Sequence, residues 1–285
     1  MYTTLIDVET LAQHLTDPNW VILDCRHDLL NPDFGRNAFA EGHIQNAQFA
    51  SIDNDLSGPK TGSGATFRGR HPLPDRAALI ETLRRFGIND NTQVIAYDGA
   101  GQGGMYASRA WWLLRWIGHQ AVAVLDGGLA AWTAAGHPVV TPVAPRARGN
   151  IAERATLTRT VSASDLVENL TTARYQVVDA RANDRFRGEN ETIDPVGGHI
   201  PGAKNRFFKD NLAADGRFKD AASLKAAFTP LFASPSVAVM QCGSGVTACH
   251  NLLALEIAGL SGAALYPGSW SEWCADPARP VATGA

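Results

Sequence analysis

The sequence predicts an α/β fold made of two tandem copies of one domain, each a mainly parallel sheet flanked by helices. Three observations predict it. Short β-rich runs alternate along the chain with stretches of helical periodicity, the pattern of parallel strands joined by crossover helices. A series of short motifs occurs twice, in the same order and at nearly the same spacing, and a period this long marks duplicated domains rather than a solenoid. The 285 residues, 45% of them hydrophobic, are enough for real cores in two domains of ordinary size.

The elements follow in order. Val21-Ile22-Leu23-Asp24-Cys25-Arg26 is matched by Val177-Val178-Asp179-Ala180-Arg181. Both are strand-type runs that close on Asp-x-Arg. An aspartate and an arginine at a strand end in both halves read as an internal ion pair fixing the next loop, so Asp24, Arg26, Asp179 and Arg181 are assigned to structure. Gly42-His43-Ile44 is matched by Gly198-His199-Ile200, and the two histidines read as turn residues. Next, Val94-Ile95-Ala96-Tyr97-Asp98 with a glycine-rich turn is matched by the run from Val237 to Cys242. A helical pattern follows each: Ala107, Ala110, Trp111, Leu114 and Ile117, then Val246, Cys249, Leu253, Ile257 and Leu260. Cys249 falls on the buried face and reads as core. Last, Gly127-Gly128-Leu129-Ala130-Ala131-Trp132 is matched by Gly268-Ser269-Trp270-Ser271-Glu272-Trp273, with Trp132 and Trp273 as core anchors. The stretch from Pro138 to Asn150, with Pro138, Pro142, Pro145 and Gly149, reads as linker. The resulting division is a first domain over residues 1–142, a linker over 143–158 and a second domain over 159–285.

Bulk properties narrow the class. A net charge of −3 gives no global basic field for nucleic acid or an anionic membrane. The N-terminus Met1-Tyr2-Thr3-Thr4-Leu5-Ile6-Asp7 has no basic and apolar regions of signal-peptide type, and no apolar run approaches the length of a membrane span. Cys25, Cys242, Cys249 and Cys274 are too few and too scattered for a disulfide framework, and none forms a CxxC, so no metal site is expected. A reducing cytoplasm is the expected location.

Chemistry concentrates at Cys242. An apolar strand-type run, Val237-Ala238-Val239-Met240-Gln241, ends at this cysteine, and Gly243-Ser244-Gly245-Val246-Thr247 leads into a helix. Ligand sites in parallel α/β folds lie at the carboxyl ends of strands. Converging loop amides and a helix N-terminus favour a thiolate there over a thiol. A free cysteine is most often plain core, but packing alone needs no thiol on a glycine turn. Phosphatases with a Cys-x5-Arg loop require an arginine six residues on to bind the phosphate dianion. That position is Ala248, and Cys242 to Thr247 carries no cation.

One competing motif stands in the first half. Gly99-Ala100-Gly101-Gln102-Gly103-Gly104 follows a strand and precedes a helix in the G-x-G-x-x-G pattern, and Asp126 follows where a ribose-binding acid would stand. The repeat makes this turn the counterpart of the Cys242 loop, however. Asp98 precedes the glycines, and bulky Met105 and Tyr106 open the helix, so a degenerate anion loop is expected and no nicotinamide cofactor.

The tandem halves, the Asp-x-Arg strands, the Gly-His-Ile pairs, the Cys242 loop and the closing Gly268-Ser269-Trp270-Ser271-Glu272-Trp273 together resemble two-domain rhodanese-like sulfurtransferases over nearly the whole chain. The resemblance implies two rhodanese-like domains, of which the second carries the catalytic cysteine and the first has lost it, with Asp98 near the equivalent position. It implies a sulfurtransferase that carries sulfur as a persulfide on Cys242, with no cofactor. The neutral loop Cys242-Gly243-Ser244-Gly245-Val246-Thr247-Ala248-Cys249 is similar to that of 3-mercaptopyruvate enzymes. Thiosulfate enzymes carry cations after the cysteine. Within the resemblance, Arg185 of Arg185-Phe186-Arg187-Gly188 binds the mercaptopyruvate carboxylate as a planar bidentate donor. Ser244 donates a hydrogen bond or a proton path. Asp53 relays protons through Ser244, and His71 orients substrate; read alone, these two would more often be a loop cap and a solvated histidine. Gly243, Gly245, Val246 and Thr247 supply the loop. One departure keeps thiosulfate open as donor: beyond Arg187 the chain offers only acids and neutral residues up to Pro195, where mercaptopyruvate enzymes have a second arginine. The implied partners are a small-molecule sulfur donor and a thiophilic acceptor such as cyanide, a thiol or thioredoxin. A non-catalytic persulfide carrier or binding module is the alternative of another class.

Overall fold

A computed structural model describes residues 1–285. The chain forms two compact units. The first comprises Met1–Gly58, Pro74–Leu157 and Ala213–Phe218, and the second Pro59–Leu73, Thr158–Leu212 and Lys219–Ala285. Each unit therefore includes a segment from the other half of the sequence, and Pro59–Leu73 is the one that builds the site described below.

The first unit contains a five-stranded, all-parallel sheet of β1 (Leu5–Ile6), β2 (Trp20–Asp24), β3 (Ala47–Phe49), β4 (Gln93–Tyr97) and β5 (Val122–Leu125), in the order β1-β5-β4-β2-β3. The second contains β6 (Arg159–Thr160), β7 (Gln176–Asp179), β8 (Lys204–Asn205), β9 (Ala238–Gln241) and β10 (Ala264–Leu265), also all parallel, in the order β6-β10-β9-β7-β8. The permutation is identical, so the duplicated α/β architecture expected from the motifs is the observed one. Central strands of parallel sheets are covered on both faces and need unbroken apolar runs. Every residue of β2, β4 and β9 is buried.

The crossover helices are buried as well. Ala107–Trp116 joins β4 to β5, and Thr247–Ile257 joins β9 to β10; residues 107–114 and 248–255 are buried throughout. Trp132 packs with Ile22, Ile95 and Leu125 in the first core. Trp273 packs with Val177, Val239 and Tyr266 in the second. Each indole N–H donates to a carbonyl a few residues on, Trp132 to Pro138 and Trp273 to Pro280.

The repeated polar motifs are structural, as the sequence suggests. Arg26 Nη2 lies 2.6 Å from Asp24 Oδ2 and donates to the Gly42 carbonyl at 2.7 Å. Arg181 Nη2 lies 2.6 Å from Asp179 Oδ2 and donates to the Gly198 carbonyl at 2.7 Å. His43 Nδ1 sits 2.8 Å from the Phe39 carbonyl, and His199 Nδ1 2.8 Å from that of Phe186. The proline-rich stretch after Pro138 runs extended along the first unit. The amides of Gly149, Ile151, Arg154 and Leu157 donate to the carbonyls of Arg84, Ile88, Ile117 and Arg115. No helix is long and apolar enough to cross a membrane.

Candidate active site

β9 lies between β10 and β7 and delivers Cys242 to the carboxyl edge of the second sheet. The loop that follows is held by the turn after β10. The Cys242 amide donates to Ser269 Oγ at 3.1 Å, and its carbonyl accepts from the Trp270 amide at 2.9 Å. The Gly243 carbonyl accepts from the Ser271 amide at 2.9 Å. Ser269 is one of three non-glycine residues with positive φ, at 54°, a conformation that costs energy for a residue with a Cβ.

The loop then curls over the sulfur. The Gly245 amide donates to Cys242 Sγ at 3.1 Å. Gly245 has φ 78°, and a Cβ on it would lie 2.3 Å from the Pro267 carbonyl oxygen, so both backbone sterics and space demand glycine. Behind the turn the Cys249 thiol donates to the Gly245 carbonyl at 3.3 Å, and Cys249 is fully buried. Val246 is buried and caps the helix that starts at half-buried Thr247. Cys242 itself is buried, and the four cysteines form no disulfide.

Two guanidinium groups converge on Gly243. A Cβ there would lie 2.8 Å from Arg70 Nη2 and within 3.9 Å of both Arg185 terminal nitrogens. The missing side chain therefore leaves room for two cations on a loop that has none of its own. Arg185 is gripped by Glu191 through Nε at 3.1 Å and Nη2 at 2.9 Å. Asp194 bridges the pair: one oxygen bonds Arg70 Nη1, and the other lies 3.3 Å from Arg185 Nη2. The Arg70 amide donates to Ser271 Oγ at 3.1 Å, which ties the 59–73 segment to the turn holding Cys242. His71, next along, places Nδ1 2.7 Å from Ser244 Oγ, with both residues buried. A buried thiol under an amide, a cationic shelf beside it and a hydroxyl–imidazole pair form an arrangement that can serve covalent transfer from an anionic donor.

A model of the rhodanese-like domain matches the chain twice, over residues 7–135 and 162–276. This chain belongs to the rhodanese family. It is 46% identical over 283 residues, 98% of each chain, to a Pseudomonas aeruginosa protein named for 3-mercaptopyruvate sulfurtransferase activity. It is 33% identical over 287 residues, covering 96% of this chain and 92% of the other, to the thiosulfate sulfurtransferase of Bos taurus. The crystal structure of the Escherichia coli 3-mercaptopyruvate enzyme SseA superposes with a TM-score of 0.80 at 30% identity, over 95% of this chain and all of that one. The protein is thus a rhodanese-fold sulfurtransferase that works through a cysteine persulfide.

Within this rhodanese, the structure brings together Cys242, Gly243, Ser244, Gly245, Val246, Thr247, Arg185 and His71 in the second unit. Asp53 belongs to the first unit, with Oδ2 3.9 Å from His27 Nε2. Arg187 pairs with Glu189, through bonds of 2.8 and 2.7 Å. The second guanidinium beside Arg185 comes instead from Arg70, which sequence reading did not single out. Its position directly before His71 was the only signal. Asp194 and Ser269 were missed as well. For Ser269 the repeat held a clue, since it stands where the first half has Gly128.

The glycine-rich turn of the first unit contains its own anion. Asp98 is fully buried, and its carboxylate accepts from the amides of Gly104 and Tyr106 at 2.9 Å and of Ala107 at 3.3 Å. Burial nevertheless pushes this carboxyl up to about 6, against those three bonds. Asp126 accepts from the Phe218 amide at 2.9 Å. The amides that a pyrophosphate would need are thus taken by a side chain.

Proposed function

We propose that the protein moves sulfur from 3-mercaptopyruvate through a persulfide on Cys242 to a thiophilic acceptor. The observation that carries this reading is the shelf at Gly243, where Arg70 and Arg185 face a loop with no charged side chain and share the Asp194 carboxylate, while Glu191 pairs with Arg185 alone of the two. A guanidinium pair so offset suits a single carboxylate better than a dianion. The 46% identity to the Pseudomonas protein supports the same donor.

In the first half-reaction the Cys242 thiolate attacks the donor sulfur. A sulfur–sulfur bond forms, the carbon–sulfur bond breaks, and its electron pair leaves on carbon as the enolate of pyruvate. One proton then converts that enolate to pyruvate. Ser244, hydrogen-bonded to His71, stands in the loop next to the sulfur and is the proton path assigned here. The Gly245 amide stabilises charge on the Cys242 sulfur. In the second half-reaction an acceptor nucleophile (cyanide, a small thiol or a thioredoxin-type dithiol) attacks the outer sulfur and returns the Cys242 thiolate. No step requires a cofactor. Four cysteines without a disulfide suit a reducing cytoplasm.

Steady-state turnover with 3-mercaptopyruvate and with thiosulfate, cyanide being the acceptor, tests the donor. A higher kcat/KM for 3-mercaptopyruvate is expected, and a clear preference for thiosulfate overturns it. Thiosulfate is the second reading, favoured by the presence of two guanidinium groups at one glycine. Retention of full activity in Cys242→Ser would remove the persulfide site altogether.

A further inference from the structure

Resting on that reading of the Cys242 loop, we infer that Asp194 is a specificity-determining residue that sets how much negative charge the donor site accepts. Its carboxylate spans the two cations of the shelf, bonding Arg70 Nη1 with one oxygen and approaching Arg185 Nη2 with the other. A donor anion lying across Gly243 would use the same two groups. Asp194 therefore already occupies part of the hydrogen-bonding capacity that a doubly charged donor needs.

The charge count points the same way. Arg70 and Arg185 bring two positive charges to Gly243, and Glu191 and Asp194 bring two negative ones. Arg181 Nη1, 3.4 Å from Glu191, is already neutralised by Asp179. A monoanionic keto-acid thiol adds one charge to a balanced cluster, whereas thiosulfate adds two. The shelf is confined as well: the Asp194 and Glu191 side chains are only 2% and 4% exposed, so solvent screens the excess charge poorly.

The geometry also shows spare capacity for an anion once Asp194 is neutral. Arg70 Nε is buried and makes no hydrogen bond, and Arg70 reaches Gly243 with Nη2 rather than with the nitrogen that bonds Asp194. Glu191 would remain in place, because it is fixed by the Ile193 and Asp194 amides at 2.9 and 3.0 Å as well as by Arg185. Asp194 burial, which pushes its carboxyl up against the pull of Arg70, indicates that its charge is held here at a cost. Asp194 acts through the two arginines and is thus a positioning residue that also sets charge.

The test measures kcat and KM for thiosulfate and for 3-mercaptopyruvate, with cyanide as acceptor, in the full-length wild type, Asp194→Asn, Asp194→Glu and Arg70→Gln. Asp194→Asn is expected to raise the thiosulfate-to-mercaptopyruvate ratio of kcat/KM by about tenfold, mainly through a lower KM for thiosulfate. Asp194→Glu should restore the wild-type ratio. Should Asp194→Asn fail to fold, Arg70→Gln carries the test by moving the ratio the opposite way, since a dianion loses more than a monoanion when one cation is removed. If Asp194→Asn or Arg70→Gln lowers both donors together and leaves the ratio within about twofold, Asp194 merely supports the loop and the inference is overturned. That outcome leaves the Cys242 reading intact. A wild type that forms no persulfide on Cys242 with either donor, judged by intact-protein mass, overturns the reading itself.

Discussion

The two glycine-rich loops sit on the same strand position of the same sheet permutation, yet they hold negative charge in opposite ways. At the end of β4, Asp98 places a carboxylate inside the loop and three amides close on it. At the end of β9, Cys242 places a sulfur there and one amide, that of Gly245, reaches it. The anchoring is otherwise conserved in form: the Leu129 amide bonds the Asp98 carbonyl at 2.9 Å, and the Trp270 amide bonds the Cys242 carbonyl at 2.9 Å. A fold that concentrates amides at a strand end can fill the position permanently with a carboxylate, or leave it to an atom whose charge comes and goes. The first choice makes structure, and the second is the one the proposed persulfide chemistry requires.

Transplanting one solution into the other should produce the largest effect. Cys242→Asp is expected to abolish sulfur transfer, a loss on the order of 10^4-fold or more, because no nucleophilic sulfur remains. Its melting temperature should stay near that of the wild type, since a carboxylate can take the Gly245 amide as Asp98 takes its own. The reverse change, Asp98→Cys in a Cys242→Ser background, should restore no transfer. Detectable persulfide on residue 98 would mean that the loops differ only in that one side chain.

The strand-end ion pairs sharpen the comparison next. Removing one partner of a buried pair strands the other charge and costs about 3–5 kcal/mol. Asp24→Asn should reach that range, since Asp24 also accepts from Tyr97 Oη at 2.6 Å. Asp179→Asn should cost less. Arg181 keeps Glu191 at 3.4 Å, and the residue opposite Asp179, where the first unit has Tyr97, is Gln241, whose buried amide makes no hydrogen bond. Urea unfolding of both variants checks the order, and equal losses would show that Glu191 contributes nothing to Arg181.

Asp98 adds a pH dependence to the first loop. Its carboxyl ionises near 6 in the folded chain, against an ordinary value of 3.8. A folded state that holds its proton more tightly than the unfolded state is stabilised most at low pH and loses that advantage as pH rises. The contribution should fall between about pH 4 and 6, by about 3 kcal/mol in all. Measured as the difference in unfolding free energy between wild type and Asp98→Asn, the gap should shift against the wild type across that window and be flat above it. A pH-independent difference would mean that the three amide bonds balance burial, and a gap that moves toward the wild type as pH rises would mean that they outweigh it.

Much of this fold is written locally. The apolar runs of β2, β4 and β9, the Asp-x-Arg pairs and the indoles at 132 and 273 are decided by neighbours within a few residues or by the repeat itself, and all are where the sequence put them. The Cys242 loop is legible for the same reason: strand, cysteine, glycines and helix are contiguous. Arg70 and Asp194 are not contiguous. They meet across 124 residues of chain, through a segment with no strand and only a short turn of helix between Pro59 and Leu73. Periodicity has nothing to grip there, and a lone arginine in a loop reads as surface. The cationic shelf is therefore half legible: Arg185 is singled out by its motif, and Arg70 stands far from it in the chain.

Ser269 gives the smallest expected effect and isolates what the second loop gained. The first unit has Gly128 at the matching place, with φ 57°, where Ser269 has φ 54°. Ser269→Gly removes the strain of a Cβ in the left-handed region, roughly 1–2 kcal/mol, and removes a hydroxyl that accepts from the Cys242 amide and donates to the Tyr266 carbonyl at 2.9 Å. Each lost bond is worth about 1 kcal/mol, so the two effects nearly cancel and global stability should move by less than about 1 kcal/mol. Activity should not cancel in the same way. The backbone of Cys242 loses the contact that fixes its amide, and kcat is expected to fall by roughly threefold to tenfold with the donor KM little changed. A fall in stability of several kcal/mol with unaltered kcat would show that the serine holds the turn and not the nucleophile. The glycine of the first unit would then be the relaxed form of the same joint, with no bearing on chemistry.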